Sequence, residues 1–247
     1  MEVTTERVAI PLADGGTMGG YLARPREDGH YPGVLVFMEI FGINSHIRDV
    51  TERVARVGYV ALAPDTFHRT GPGVELDYDD EGFAKGFALL NQLKSDEVVA
   101  DARAAIEFLR GRSDVRGARI GCMGFCIGGH LAYLTACETD VKATASFYGG
   151  GIAAPEGLGG GASTLSRTPN IAGKILCLFG GRDEYIPAEE VEAIRAALER
   201  AGVRHDSVVY PDAQHGFHCD QRDSYHAESA RDAWERVQAL FRDELGS

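Results

Sequence analysis

No run of 18 apolar residues occurs anywhere in the 247-residue sequence, so nothing in it reads as a transmembrane helix. The first residues, Met1 to Arg7, lack the basic start and apolar stretch of a secretory signal. Positive charge is in deficit, with 25 Lys and Arg against 37 Asp and Glu, a net charge of −12. Without a basic cluster, such a chain repels phosphate backbones and acidic lipid surfaces, which argues against nucleic-acid and membrane partners. Cysteines are few and odd in number, at 122, 126, 137, 177 and 219, with no framework spacing. A disulfide scaffold is thereby excluded, and a reducing, cytoplasmic setting is expected. Neither G-x-x-x-x-G-K-[ST] nor a well-placed G-x-G-x-x-G is present, which sets nucleotide binding aside.

What is present is alternation. Val8–Pro11 and Thr17–Ala23 flank a turn cluster at Ala13-Asp14-Gly15-Gly16 and read as an antiparallel hairpin. Gly33–Met38 is a continuous apolar run, as expected of a strand buried on both faces. Residues 44–57 carry apolar side chains at 47, 50, 54 and 57 and read as a one-faced helix. Further strands are expected at Tyr59–Ala63, Ile120–Met123, Ala143–Tyr148, Lys174–Phe179 and Ser207–Tyr210. Helices fall between and after them at 95–110, capped by Ser95, and at 127–137, 187–201 and 229–245. Strand and helix in alternation mark an α/β fold with a mostly parallel, doubly wound sheet, and no linker divides it, so residues 1–247 are expected to form one domain.

Two segments break the rhythm. Residues 66–94 hold Thr70-Gly71-Pro72-Gly73, an acidic patch and aromatics at 67, 78, 83 and 87, with a helical pattern only over 81–93. A connection this long is more often functional than idle, and it is expected to wall or cover a pocket. Residues 149–170 hold seven glycines and two prolines, which speaks against any helix there and for a mobile loop.

The chemistry centres on Gly124-Phe125-Cys126-Ile127-Gly128, which has the form of a nucleophile elbow with cysteine in place of serine. At the tip of a strand-to-helix turn a thiol is pushed clear of the sheet, and once ionised it is a stronger nucleophile than an alcohol. Such a nucleophile needs a base and a carboxylate that orients the base, in the order nucleophile, acid, histidine. Asp183, after one strand, and His215, after the next, fill those places, with Glu184 and Asp212 as substitute acids. All three then lie at carboxyl ends of strands, where open α/β sheets carry their sites. His215 and His218 could instead form half of a metal site, but no third ligand stands at motif spacing, so neither metal nor cofactor is expected.

Met38-Glu39-Ile40-Phe41-Gly42, Pro64-Asp65, the cysteine elbow, Gly181-Arg182-Asp183 and Gln214-His215-Gly216-Phe217 together resemble the dienelactone hydrolase family, from about residue 5 to 245. The resemblance implies an α/β-hydrolase fold and a triad of Cys126, Asp183 and His215, with Glu39 controlling the thiol. It also implies an oxyanion hole made of the Ile40 and Ile127 backbone N–H groups, with Arg69, Phe41 and Tyr148 meeting a small ester or lactone. The first of the family's two carboxylate-binding arginines matches Arg69. The expected place of the second holds Cys219, with Arg222 three residues on. That departure leaves room for other activated esters, phosphotriesters among them. Two other expectations stand beside it: a vestigial site in a binding or regulatory protein, and a monomer or homodimer.

Overall fold

The computed structural model describes residues 1–246. An eight-stranded sheet of order β1-β2-β4-β3-β5-β6-β7-β8 runs through it. β1 (Val3–Pro11) and β2 (Thr17–Pro25) form the expected hairpin, and β2 pairs antiparallel with β4 (Val60–Pro64). From there β3 (Tyr31–Phe37), β5 (Val115–Phe125), β6 (Ala143–Phe147), β7 (Lys174–Gly180) and β8 (His205–Tyr210) are all parallel. β3 lies between β4 and β5, so the chain runs from β3 outward to β4 and then crosses back to β5. A doubly wound sheet opens its crevice at that reversal, beyond the carboxyl ends of the strands.

The described residues form six α-helices: α1 (Ser45–Arg56), α2 (Asp80–Leu90), α3 (Ser95–Arg110), α4 (Ile127–Glu138), α5 (Ala188–Arg200) and α6 (Ala227–Leu245). The alternation of side chains along β5 shows how its two faces are filled. Cys122 Sγ lies 3.7 Å from the Ala132 carbonyl of α4, while a side chain at Gly121 would meet Leu245 of α6. The central strands are accordingly apolar on both sides, as buried parallel strands must be. Asn44 caps α1, its Oδ1 accepting the Ile47 N–H at 3.2 Å.

Two local expectations change. Ser95 is the first residue of α3 rather than its cap, which is Lys94. Its N–H and hydroxyl both turn to the Leu158 carbonyl, at 2.9 and 3.2 Å, so it ties the glycine-rich segment down instead. That segment is also not free of helix. Thr164–Asn170 forms a short 3₁₀ turn, a geometry that needs few residues and here includes Pro169. His130 on α4 anchors it: its Nδ1–H donates to the Gly150 carbonyl at 3.0 Å, and its Nε2 accepts the Thr164 hydroxyl at 2.7 Å.

Candidate active site

Cys126 sits between the last residue of β5 and the first of α4, at φ 57°, ψ −123°. Cysteine rarely adopts that conformation, and holding it costs roughly 1–3 kcal/mol. The turn can be this sharp because its flanks carry no side chains. A Cβ on Gly124 would collide with the Gly128 carbonyl, and one on Gly128 would come within 2.5 Å of the Phe37 and Met38 carbonyls. Cys126 is the partly exposed cysteine; the other four are buried.

Beside it stands His215, in the loop after β8. Its Nδ1 lies 2.8 Å from Asp183 Oδ2, and the Asp183 side chain is fully enclosed. The other oxygen, Asp183 Oδ1, accepts the N–H groups of Tyr185 at 2.9 Å and Ile186 at 3.2 Å, which fixes the carboxylate before it touches the ring. Burial alone would lower the His215 pKa. Negative charge on the Cys126 sulfur and the bond to Asp183 more than reverse this, raising it to about 10. The ring is thus biased toward its protonated form. Neither substitute acid shares this position: Glu184 is exposed, and Asp212 pairs with Arg182 at 2.6 Å.

Glu39 follows β3, the strand beside β5, and is completely buried. Tyr78 donates its hydroxyl to Oε2 at 3.0 Å, and Arg222 donates Nη1 to Oε1 at 3.1 Å. Arg222 in turn lies over the rings of Phe41 and Tyr78, 5.7 Å from each centroid. Next along the chain is Ile40, whose N–H meets no acceptor among the described residues. Ile127 opens α4, so its N–H has no partner within the helix. Both residues line the same cavity as Cys126.

These groups open onto a cavity of about 480 Å³. Its floor is Ile40, Cys126, Ile127 and His215. One wall is α2 with Phe83 and Phe87, and the opposite wall runs through Gly150 to Gly159. Residues 66–94 and 149–170 therefore both contribute to its lining.

The substrate contacts expected from the resemblance divide. Phe41 lines the cavity. Arg69 does not: its guanidinium is taken up by Asp101 at 2.5 Å and Asp14 at 3.5 Å, with His68 on the second Asp101 oxygen. The cation at the cavity is Arg222. Tyr148 is not a wall residue either. It lies fully buried at φ 37°, its ring 5.0 Å from His215 and 5.2 Å from Phe217, as a support beneath the histidine. Sequence reasoning also passed over Tyr78 and Tyr185. Tyr78 carried a signal, being an aromatic in the long irregular segment, but nothing local says that it meets Glu39.

His218, three residues from His215, points away into the core. It packs at 5.2 Å from Phe125 and 5.0 Å from Phe147, and burial pushes its pKa down to about 3. Among the described residues one trio, Glu39, His46 and Cys219, brings possible metal-ligand atoms within 4.8 Å of one another. Both Glu39 oxygens are already engaged, and burial pushes the Cys219 thiol up to about 12. The trio is arranged as an interior polar cluster, with its thiol protonated, rather than as an open ligand set.

Residues 18–245 match the model of the dienelactone hydrolase family. A protein of Synechocystis sp., provisionally named carboxymethylenebutenolidase, is 46% identical over 246 residues, 99% of both chains. A Klebsiella pneumoniae crystal structure, provisionally named dienelactone hydrolase, superposes with a TM-score of 0.89 at 34% identity, covering 98% of this chain and 99% of that one. A dienelactone hydrolase-like promiscuous phosphotriesterase from metagenomic libraries shares the fold, with a TM-score of 0.82 at 24% identity over the whole of both chains. By sequence, fold and site together, the chain belongs to the dienelactone hydrolase family.

Proposed function

We propose that this protein is a cysteine-dependent hydrolase of small carboxyl esters or lactones, working through a thioester acyl-enzyme. The observation that carries the reading is the line from Asp183 through His215 to a strained, partly exposed Cys126. Its family relatives bear the name of a lactone hydrolase, carboxymethylenebutenolidase.

In this reading the Cys126 sulfur adds to the ester carbonyl, and the Ile40 and Ile127 N–H groups receive the oxygen as it gains charge. The C–O bond to the leaving group then breaks, and the His215 imidazolium gives its proton to the departing alkoxide. Water follows. His215, now neutral, takes a proton from it, the hydroxide adds to the thioester, and the carbon–sulfur bond breaks to release the acid. Asp183 holds the ring in the one orientation that serves both transfers. The proton that His215 gives to the leaving group is the one it takes from the Cys126 thiol as the sulfur attacks. Glu39, tied to Arg222 and Tyr78, acts here as a positioning residue that helps control the thiol's ionisation.

No described helix is long and apolar enough to cross a membrane. A small-molecule substrate and a reducing, cytoplasmic setting complete the proposal. Activated phosphotriesters are a side activity within it, since the same sulfur could attack phosphorus; absence of any paraoxon turnover would remove that part.

The test is hydrolysis of p-nitrophenyl acetate and of a dienelactone by wild type and Cys126→Ala, side by side. Loss of both activities in the variant is expected. A variant that keeps its rate would overturn the nucleophile, and a wild type inert toward every ester would favour a vestigial site in a binding protein.

A further inference from the structure

The cavity's charges and walls, taken together, restrict what it can hold. Beyond the floor, its lining is mainly apolar: Phe41, Phe83, Phe87, Leu90, Leu158 and Ile186 carry most of it. Phe83 and Phe87 stack at 5.8 Å and remain 37% and 45% exposed, large apolar rings left uncovered at its edge. Tyr185, 61% exposed, stands 6.4 Å from Phe83 and 5.1 Å from His215, so the aromatic rim runs back to the reacting centre. Exposed rings of this size in contact with one another mark a binding surface more often than chance.

Against this stand the charged groups. The cation in the lining, Arg222, already bonds the buried Glu39 carboxylate at 3.1 Å and is flanked by Phe41 and Tyr78. Arg69 is committed to Asp101 and Asp14, outside the lining. Besides His215, which is paired with Asp183, the remaining charged side chain there is an acid, Glu156, on a chain whose net charge is −12. A substrate carboxylate would lose its water and find only cations already paired with buried carboxylates, whichever half of the ester carried it.

Resting on the hydrolase reading above, we propose that the cavity selects uncharged esters with a bulky apolar group, held by Phe83, Phe87 and Tyr185, over esters that bear a carboxylate. The two arms of the test differ at one terminal group: p-nitrophenyl hexanoate ends in a methyl where p-nitrophenyl adipate ends in a carboxylate. The expected kcat/KM ratio is about 100-fold in favour of hexanoate, as for a buried polar group left without a partner. Replacing Phe83 and Phe87 together by alanine should lower the hexanoate-to-acetate ratio about tenfold, since apolar contact with the longer chain is what those rings supply. Equal or better turnover of the adipate, or of a cationic choline ester, would overturn the assignment, as would an acyl-length ratio that ignores the two phenylalanines.

A binding measurement separates this inference from the hydrolase reading. Hexanophenone and 5-benzoylpentanoate are ketones that differ by the same methyl-for-carboxylate exchange and have no ester to cleave. Calorimetric titration of wild type should show hexanophenone binding at least about tenfold more tightly. If that preference holds while no ester is hydrolysed, the hydrolase reading fails and the pocket assignment stands. If esters are cleaved through Cys126 without any such preference, the reverse is true.

Discussion

The groups proposed to react, all but the Ile127 amide that opens α4, hang from the ends of strands, whereas the cavity walls come from a short helix and a glycine-rich loop that no ladder of parallel strands holds. Cys126 follows β5, Asp183 follows β7, His215 follows β8 and Ile40 follows β3. Neighbouring strands fix one another in register, so these four are placed by the same hydrogen bonds that make the sheet. The walls are held by scattered contacts instead. Gly86 of α2 rests on the Ile40 carbonyl, while Ser95, His130, Tyr133, Glu138 and Glu190 hold the glycine-rich segment. The difference implies a division of labour, in which changes to the floor act on kcat and changes to the walls act on KM and substrate choice.

The largest effect should fall on the floor. Cys126→Ala is expected to lower kcat by about 10⁴-fold or more, as removal of a nucleophile does elsewhere, with no change in fold by circular dichroism. The same substitution tests the electrostatics. His215 is held up at about 10, above its ordinary 6.5, in part by charge on the Cys126 sulfur. Removing the sulfur should move the ring's midpoint downward, read from the histidine Cε1–H resonance. Because the folded pKa lies above the unfolded one, the stabilisation the ring supplies is full below about pH 6.5 and is lost as pH rises through about 10. A midpoint unmoved in Cys126→Ala would mean that sulfur and ring do not share a proton.

Next is Glu39→Gln, which leaves Arg222 without a countercharge in a site only 18% exposed. Breaking one side of such a pair costs about 3–5 kcal/mol, measured by urea unfolding. The freed guanidinium should also raise turnover of p-nitrophenyl adipate relative to hexanoate, which would make the floor, not the walls, the origin of charge selection. An unchanged ratio would return that property to the walls.

The same contrast governs what the sequence reveals. The floor was legible because each strand announces itself as an apolar run and each catalytic type follows one at its carboxyl end. Cys126, Asp183 and His215 could be named from that order alone, and the structure brings them together. The wall segments were legible only as departures from the rhythm. Nothing in residues 66–94 states that Phe83 and Phe87 face a cavity while Arg69 turns to Asp101, because that depends on where α2 docks. Arg222 shows the same limit. Its partner, Glu39, is 183 residues away, and local pattern carries no information about a contact at that range.

Where wall and floor touch, the division of labour should blur. A Cβ at Gly86 would collide with the Ile40 carbonyl, so Gly86→Ala must push α2 outward or shift the loop that carries the Ile40 amide. Overpacking of this kind costs about 1–3 kcal/mol. A fall in kcat along with stability would show that α2 buttresses the oxyanion site; a rise in KM alone would show that the helix yields and the floor does not.

The smallest effect tests the far wall. Ser95 donates both its N–H and its hydroxyl to the Leu158 carbonyl, and Ser95→Ala removes only the second bond. The N–H bond at 2.9 Å remains, so the loss should be about 0.5–1.5 kcal/mol, as for one ordinary hydrogen bond. Leu158 lines the cavity while Cys126, Asp183 and His215 hang from β5, β7 and β8, none of which depends on that bond. KM for p-nitrophenyl hexanoate should therefore rise about two- to threefold with kcat unaltered, since loosening a wall weakens ground state and transition state alike. If kcat falls instead, the loop reaches the reacting atoms through His130, whose ring it holds at Gly150 and Thr164, and the line between floor and wall must be drawn one residue closer to the thiol.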